Sequence, residues 1–221
     1  MGYSTAKAGK ILSSVKETIS SFYKLYDACK DNEKQQQAIL KSIIVFSCSG
    51  IDAVVKQLIN DCLEGVIERN EGSVSKLKDY TAKRIKNKGD IDNDLLSDLL
   101  TSNNPRKKMI DSLIEDLSYP SLQSPEELFK VASYFDIKTN DLESDKEKLA
   151  RIFKERNIIT HQFDVDFSEG TINVHRSFDE AKRYSDHILL LANKFIEQVD
   201  LKLNADLFEE YKPVISYSVF G

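Results

Sequence analysis

The residues of this chain best suited to chemistry lie in one short stretch, Phe153-Lys154-Glu155-Arg156-Asn157-Ile158-Ile159-Thr160-His161-Gln162. An imidazole moves protons near neutral pH. A guanidinium presents a planar fork that suits a phosphate gaining negative charge in a transition state. Together, Arg156 and His161 fit metal-free cleavage of an RNA phosphodiester. That reaction needs the 2′-hydroxyl deprotonated, the 5′-oxygen protonated and the charge on the phosphate balanced. Its products are a 2′,3′-cyclic phosphate and a 5′-hydroxyl. An Arg and a His at this spacing are common in any chain, so the spacing alone says little. The setting says more: an amide directly after the arginine, paired isoleucines, and the end of a helix.

The elements that must position these groups can be read from periodicity. Leu149, Ile152 and Phe153 recur at helical spacing, which puts Arg156 on an amphipathic helix over about 144–161, opened by Ser144-x-x-Glu147 as a capping box. Beyond His161 the pattern alternates through Phe163, Val165 and Phe167, then Ile172 and Val174. That predicts a small β-hairpin turned at Gly170. On a continuous helix, residues at about 100° each leave Arg156 and His161 about 140° apart. They do not share a face, whereas Asn157 and His161 do, so the Asn157 amide is expected to orient the imidazole or hold a phosphate. Convergence of Arg and His requires either unwinding near His161 or a second copy of the chain. Thr160 and Asp52 are candidate supporting residues. Asp52 is the one carboxylate in the apolar run from Ile43 to Val55, and it reads as an ion-pair partner for Arg156 or as part of a helix kink.

The remainder of the chain is strongly helical in character. Eight Gly and four Pro in 221 residues argue against a β-sandwich, and abundant Lys, Glu, Leu and Ile favour helix. A first amphipathic helix is expected over about 5–30 and a second over about 33–70. The centre of the second, Ile39 to Phe46, is apolar nearly all round, as in a helix buried on several sides. Ser47, Ser49 and Gly50 after it permit a neighbour to approach closely. From about 71 to 143 the composition changes and several short helices follow, an insertion between the bundle's second and third helices. Ser177-Phe178-Asp179-Glu180 opens a last long helix over about 177–203, and an apolar tail occupies 207–221. The whole reads as a single all-α domain.

The net charge of −5 excludes a uniformly basic nucleic-acid binder but not a local basic surface. Two tracts are candidates for following an RNA backbone: Lys76, Lys78, Lys83, Arg84, Lys86 and Lys88, and then Arg106, Lys107 and Lys108. Lysines along a helix are also the ordinary composition of a solvated face. His175 and His187 read as solvated or capping side chains. Cys29, Cys48 and Cys62 form no CxxC pair and read as free thiols, two of them buried. No spacing suits a metal, so no cofactor is expected. No stretch approaches the ~18 continuous apolar residues of a membrane span, and the N-terminus lacks an apolar signal core, so a cytoplasmic protein is expected.

The Arg-Asn-x-x-x-His sequence at Arg156–His161, framed by Ile158 and Ile159, resembles the signature of HEPN domains (higher eukaryote and prokaryote nucleotide-binding). The long helix, the insertion ending in Phe135-Asp136-Ile137, the motif helix and Ser177-Phe178-Asp179-Glu180-Ala181 are similar to the RNA-ligase-associated, RiboL-PSP-type branch over about 35–200. The resemblance implies an antiparallel helical bundle and a metal-independent endoribonuclease of a toxin–antitoxin or antiviral system. Arg156 and His161 would be its catalytic residues. It also implies a homodimer in which two motif helices pool their arginines and histidines, with Ile158 and Ile159 in the contact, and an antitoxin or defence-system partner. A non-catalytic HEPN module that dimerises and binds nucleotide or RNA as a sensor or scaffold is the alternative. In one HEPN toxin group a tyrosine two places after the histidine accepts AMP; here that position is Phe163.

Overall fold

The computed structural model describes residues 2–87, 90–143, 145–163, 165–166, 171–172 and 175–204. The expected turn at Gly170, the cap residue Ser144, Lys88 and the tail 207–221 lie outside them. The fold is all-α. Its elements run α1 (Ala6–Ala28), α2 (Glu33–Arg69), α3 (Glu71–Ile85), α4 (Asn93–Thr101), α5 (Pro105–Ser118), α6 (Pro125–Tyr134), α7 (Thr139–Leu142), α8 (Lys146–Asn157), a π turn (Ile158–Gln162) and α9 (Phe178–Leu203). Two antiparallel ladders of two residues per strand interrupt them: β1 (Lys86–Asn87) on β2 (Asp90–Ile91), and β3 (Val165–Asp166) on β4 (Thr171–Ile172).

α2 is the axis of the molecule. Asn32 caps it by accepting from Gln35 N at 3.1 Å, and Glu33 at its start and Arg69 at its end oppose the helix dipole. Buried residues recur along its whole length, from Leu40 through Ile51 and Leu58 to Ile67, because α1, α9 and the inserted helices cover it on different sides. Gly50 lets α1 come close, since a Cβ there would lie 2.7 Å from the Val15 side chain. Ser47 is buried and hydrogen-bonds Ser185 of α9 at 2.8 Å, while Ser49 faces solvent. By length and composition α2 could cross a membrane, contrary to the expectation that no stretch comes near one. Half of its most apolar window is covered by the rest of the protein, as befits a bundle's central helix.

The inserted helices do not form a core of their own. Leu77, Leu99, Ile110, Leu113, Leu128 and Val131 belong to the same buried cluster as Val54–Ile67 of α2 and Ile188, Leu191 and Phe195 of α9. Asp52 anchors the segment after α5. Its carboxylate accepts from Leu122 N at 2.7 Å and pairs with Lys56 at 3.1 Å. That corrects its assignment as a partner of Arg156: a carboxylate among apolar residues is satisfied by the nearest unpaired backbone N–H, which the insertion supplies.

A second, smaller cluster surrounds the N-terminal half of α2: Ile19, Leu40, Ile43, Ile44, Ala181 and Ile159. Through Ile159 the π turn is seated in the bundle. Ile159 is only 8% exposed and is not free to form a contact between copies, whereas Ile158 is half-buried.

Candidate functional site

α8 starts at Asp145, whose side chain accepts from Lys148 N at 2.9 Å, so the cap falls on that residue rather than on a Ser144–Glu147 box. Leu149, Ile152 and Phe153 are buried against the bundle, and Arg156, seven, four and three residues beyond them, continues the same stripe at the helix end, half-buried. Its Nη1 donates to Asn157 Oδ1 at 2.9 Å. Its Nε is shielded from solvent and meets no acceptor among the described residues. The guanidinium lies close enough to Cys48 of α2 to oppose the effect of burial on that thiol, which is pushed up to about 12. Asn157 therefore orients Arg156, not His161 as the shared-face argument expects.

The helix changes type just beyond this pair. Ile158–Gln162 form a π turn, in which the bonding runs i→i+5 and each residue advances about 80° rather than about 100°. Three β-branched residues in a row crowd this turn. The Thr160 hydroxyl adds to the effect by donating to the Arg156 carbonyl four residues back at 3.0 Å, competing with the backbone for that acceptor. Widening brings Arg156 and His161 from about 140° to roughly 70° apart. His161 is exposed, and the turn ends at Phe163, left-handed with φ 51° and 77% exposed. A non-glycine residue in that region is uncommon and marks an imposed backbone.

Two long-range pairs brace this helix, and the sequence offers little sign of either. Arg176, just ahead of the Ser177 cap of α9, is 2% exposed and pairs with Glu155, its Nε 2.7 Å from Oε1. At the other end of α8, Glu143 Oε1 accepts from Asp145 N at 2.8 Å, and its second oxygen lies 2.6 Å from His187 Nε2. His187, with 13% of its side chain exposed, is thus not a solvated residue. His175 is one, although it lies 3.3 Å from the exposed Glu33. Burial lowers the pKa of His187, against the opposing pull of Glu143. The unfolded chain therefore takes up this proton first as pH falls. Its contribution to stability is complete above the ordinary imidazole value of 6.5 and declines as pH drops from there toward the lowered value. Unfolding midpoints measured between pH 5 and 8 are expected to fall on acidification, and His187→Gln is expected to flatten that part of the profile.

The basic tracts divide. Lys107 pairs with Glu64 at 2.9 Å and Asp111 at 2.7 Å, Lys108 with Asp98 at 2.8 Å, and Arg84 with Asp116 at 4.0 Å. These three, though still partly exposed, are engaged by acidic side chains because α5 lies against α2, α3 and α4. Lys76, Lys78, Lys83, Lys86 and Arg106 are exposed and make no ion pair among the described residues. Lys78 and Arg106 flank an apolar cleft of about 540 Å³ floored by Val74, Leu77, Ile85, Leu99 and Met109. The structure does not bring this tract to the motif. Lys107 contacts α2 at Glu64 while Arg156 sits by Cys48, about 24 Å apart along the helix axis. Two exposed cations on the motif helix itself, Arg151 and Lys154, lie nearer, and a search for runs of lysine passes over them.

Among the described residues no group of three His, Cys, Asp or Glu side chains converges as metal ligands would. Cys48 and Cys62 are buried free thiols and Cys29 is half-buried. No curated protein and no solved structure matches the chain. The family model described as RiboL-PSP-HEPN matches residues 10–201, taking in α1 as well as the stretch that carries the motif, and the chain belongs to that family.

Proposed function

We propose that the chain is a metal-independent endoribonuclease that acts as the toxic arm of a toxin–antitoxin or antiviral defence system. The observation that carries this reading is the π turn, which turns an exposed His161 toward the side of the helix bearing Arg156. In the proposed reaction His161 transfers protons between the 2′-hydroxyl and the 5′-oxygen. Arg156, its fork held by Asn157, balances the charge gathering on the phosphate. Thr160 acts through the backbone, by holding the turn open. Arg151 and Lys154 take the flanking phosphates, and the exposed lysines of α3 and Arg106 serve a longer RNA at a distance. The protein works as a homodimer joined along its motif helices, with Ile158 and Phe163 as the apolar groups available for the contact.

The test is direct. Purified protein incubated with RNA is expected to leave 2′,3′-cyclic phosphate and 5′-hydroxyl ends, and to do so undiminished in excess EDTA. Activity that disappears on chelation and returns with Mg²⁺ or Mn²⁺ would remove the Arg/His mechanism. Expression is expected to arrest growth, with relief by His161→Ala. The separation of the unpaired α3 lysines from the motif favours one other reading, a non-catalytic HEPN module that binds RNA or nucleotide as a sensor or scaffold. Binding without new RNA ends would establish it.

A further inference from the structure

Arg176 is the largest fully buried side chain among the described residues, and it is charged. Its backbone is held to the start of α2 by a pair of bonds with one amide: Arg176 N donates to Gln37 Oε1 at 3.0 Å, and Gln37 Nε2 donates to the Arg176 carbonyl at 2.9 Å. Its guanidinium reaches the other way. Nε donates to Glu155 Oε1 at 2.7 Å and Nη2 meets the same oxygen. Glu155 immediately precedes Arg156, on the last α-helical turn before the π turn. The chain entering α9 is in this way fastened to α2 on one side and to the motif helix on the other.

Stability does not account for such a pair. Removing two charges from water costs several kcal/mol, and apolar side chains of similar volume commonly do as well or better. What an ion pair gives that an apolar contact does not is direction. The fork fixes the Glu155 carboxylate at one azimuth about the helix axis, and the azimuth of Glu155 sets that of Arg156 and the origin of the π turn. The buried Ile159 seats the first residues of the turn in the bundle. With Glu155 held before the turn and Ile159 held at its start, the side on which His161 emerges follows from the rotation of the helix that leads into it.

We infer that Arg176 is a positioning residue, which through Glu155 sets the rotation of the motif helix and with it the relative placement of Arg156 and His161. For its catalytic consequence the inference rests on the nuclease reading; for its geometric consequence it does not. The test therefore uses two readouts, on the full chain. The first is the pair of imidazole proton resonances of His161, assigned by their loss in His161→Ala. The second is kcat and KM for RNA cleavage.

The double variant Glu155→Gln/Arg176→Met removes both charges and keeps volume. It is expected to fold, with an unfolding midpoint close to that of the parent. Its His161 resonances are expected to shift or broaden. Its kcat is expected to fall about 10²-fold, the cost of an ångström-scale misplacement, with KM within about twofold. A folded double variant with unmoved His161 resonances and an unchanged kcat overturns the inference. Should that variant not fold, Arg176→Lys carries the same readouts. It keeps the charge but not the fork, so His161 resonances that stay in place in a folded Arg176→Lys protein are likewise fatal. A parent protein that binds RNA and never cuts it refutes the nuclease reading alone, because the imidazole resonances still decide whether Arg176 positions the motif.

Discussion

His161→Ala is expected to lower RNA cleavage by about 10²- to 10⁴-fold, the usual contribution of a positioned general acid–base, with no measurable loss of fold. The side chain is exposed and has no hydrogen bond or ion pair among the described residues, so its removal leaves no cavity and no stranded partner. Arg156→Ala is expected to cost about 10²- to 10³-fold, as for other groups aimed at charge that develops in the transition state. It differs from His161→Ala in one respect. Arg156 is half-buried, with Nε shielded from solvent, so its truncation also removes packing and lowers the free energy of unfolding by about 1 kcal/mol. Arg156→Lys keeps the charge but forfeits the fork held by Asn157 Oδ1, and intermediate activity is expected. Product formation under single-turnover conditions, alongside thermal unfolding of each variant, separates these effects. Full activity in His161→Ala would exclude the imidazole from the chemistry.

The long helices were legible because their signal is local. The all-round apolar run Ile39–Phe46, the stripe from Ala181 to Val199 and the caps at Asn32 and Ser177 each depend on residues within a turn or two of one another. The motif residues could be found for the same reason. Their arrangement could not, since a π turn differs from an α turn by a small energy. The balance is settled by Thr160 bonding back to the Arg156 carbonyl and by the seat that Leu40, Ile43 and Ala181 make for Ile159.

Long-range pairing was equally hidden. Nothing around Asp52 announces Leu122 N, nor does the sequence near Lys107 point to Glu64. A lysine counted as a free cation in a run becomes neutralised once a distant helix presents a carboxylate. Arg176 and His187 gave no periodic or motif signal either. Both act on α8 from outside it, and only the packing of α9 shows what they hold.

The arrangement of the site across a dimer is the last expected result, and mixing chains gives the decisive measurement. A straight α-helix would demand an arginine from one chain and a histidine from the other, since about 140° separates them. The π turn reduces that to roughly 70°, so each chain is expected to supply both groups of its own centre. Three arrangements then predict different outcomes for two heterodimers. Pairing Arg156→Ala with His161→Ala chains leaves no chain with both groups. A site built within one chain stays inactive, and so does a fused groove needing all four side chains, whereas a site shared between chains regains one intact centre. Pairing a parent chain with a chain carrying both substitutions reverses the contrast. The site within one chain keeps one centre and about half the activity of the parent dimer, while the shared site and the fused groove both lose everything. The expected pattern is therefore no recovery in the first heterodimer and about half activity in the second. Recovery in the first with none in the second would show that the widened turn does not complete the site, and that the partner's histidine does.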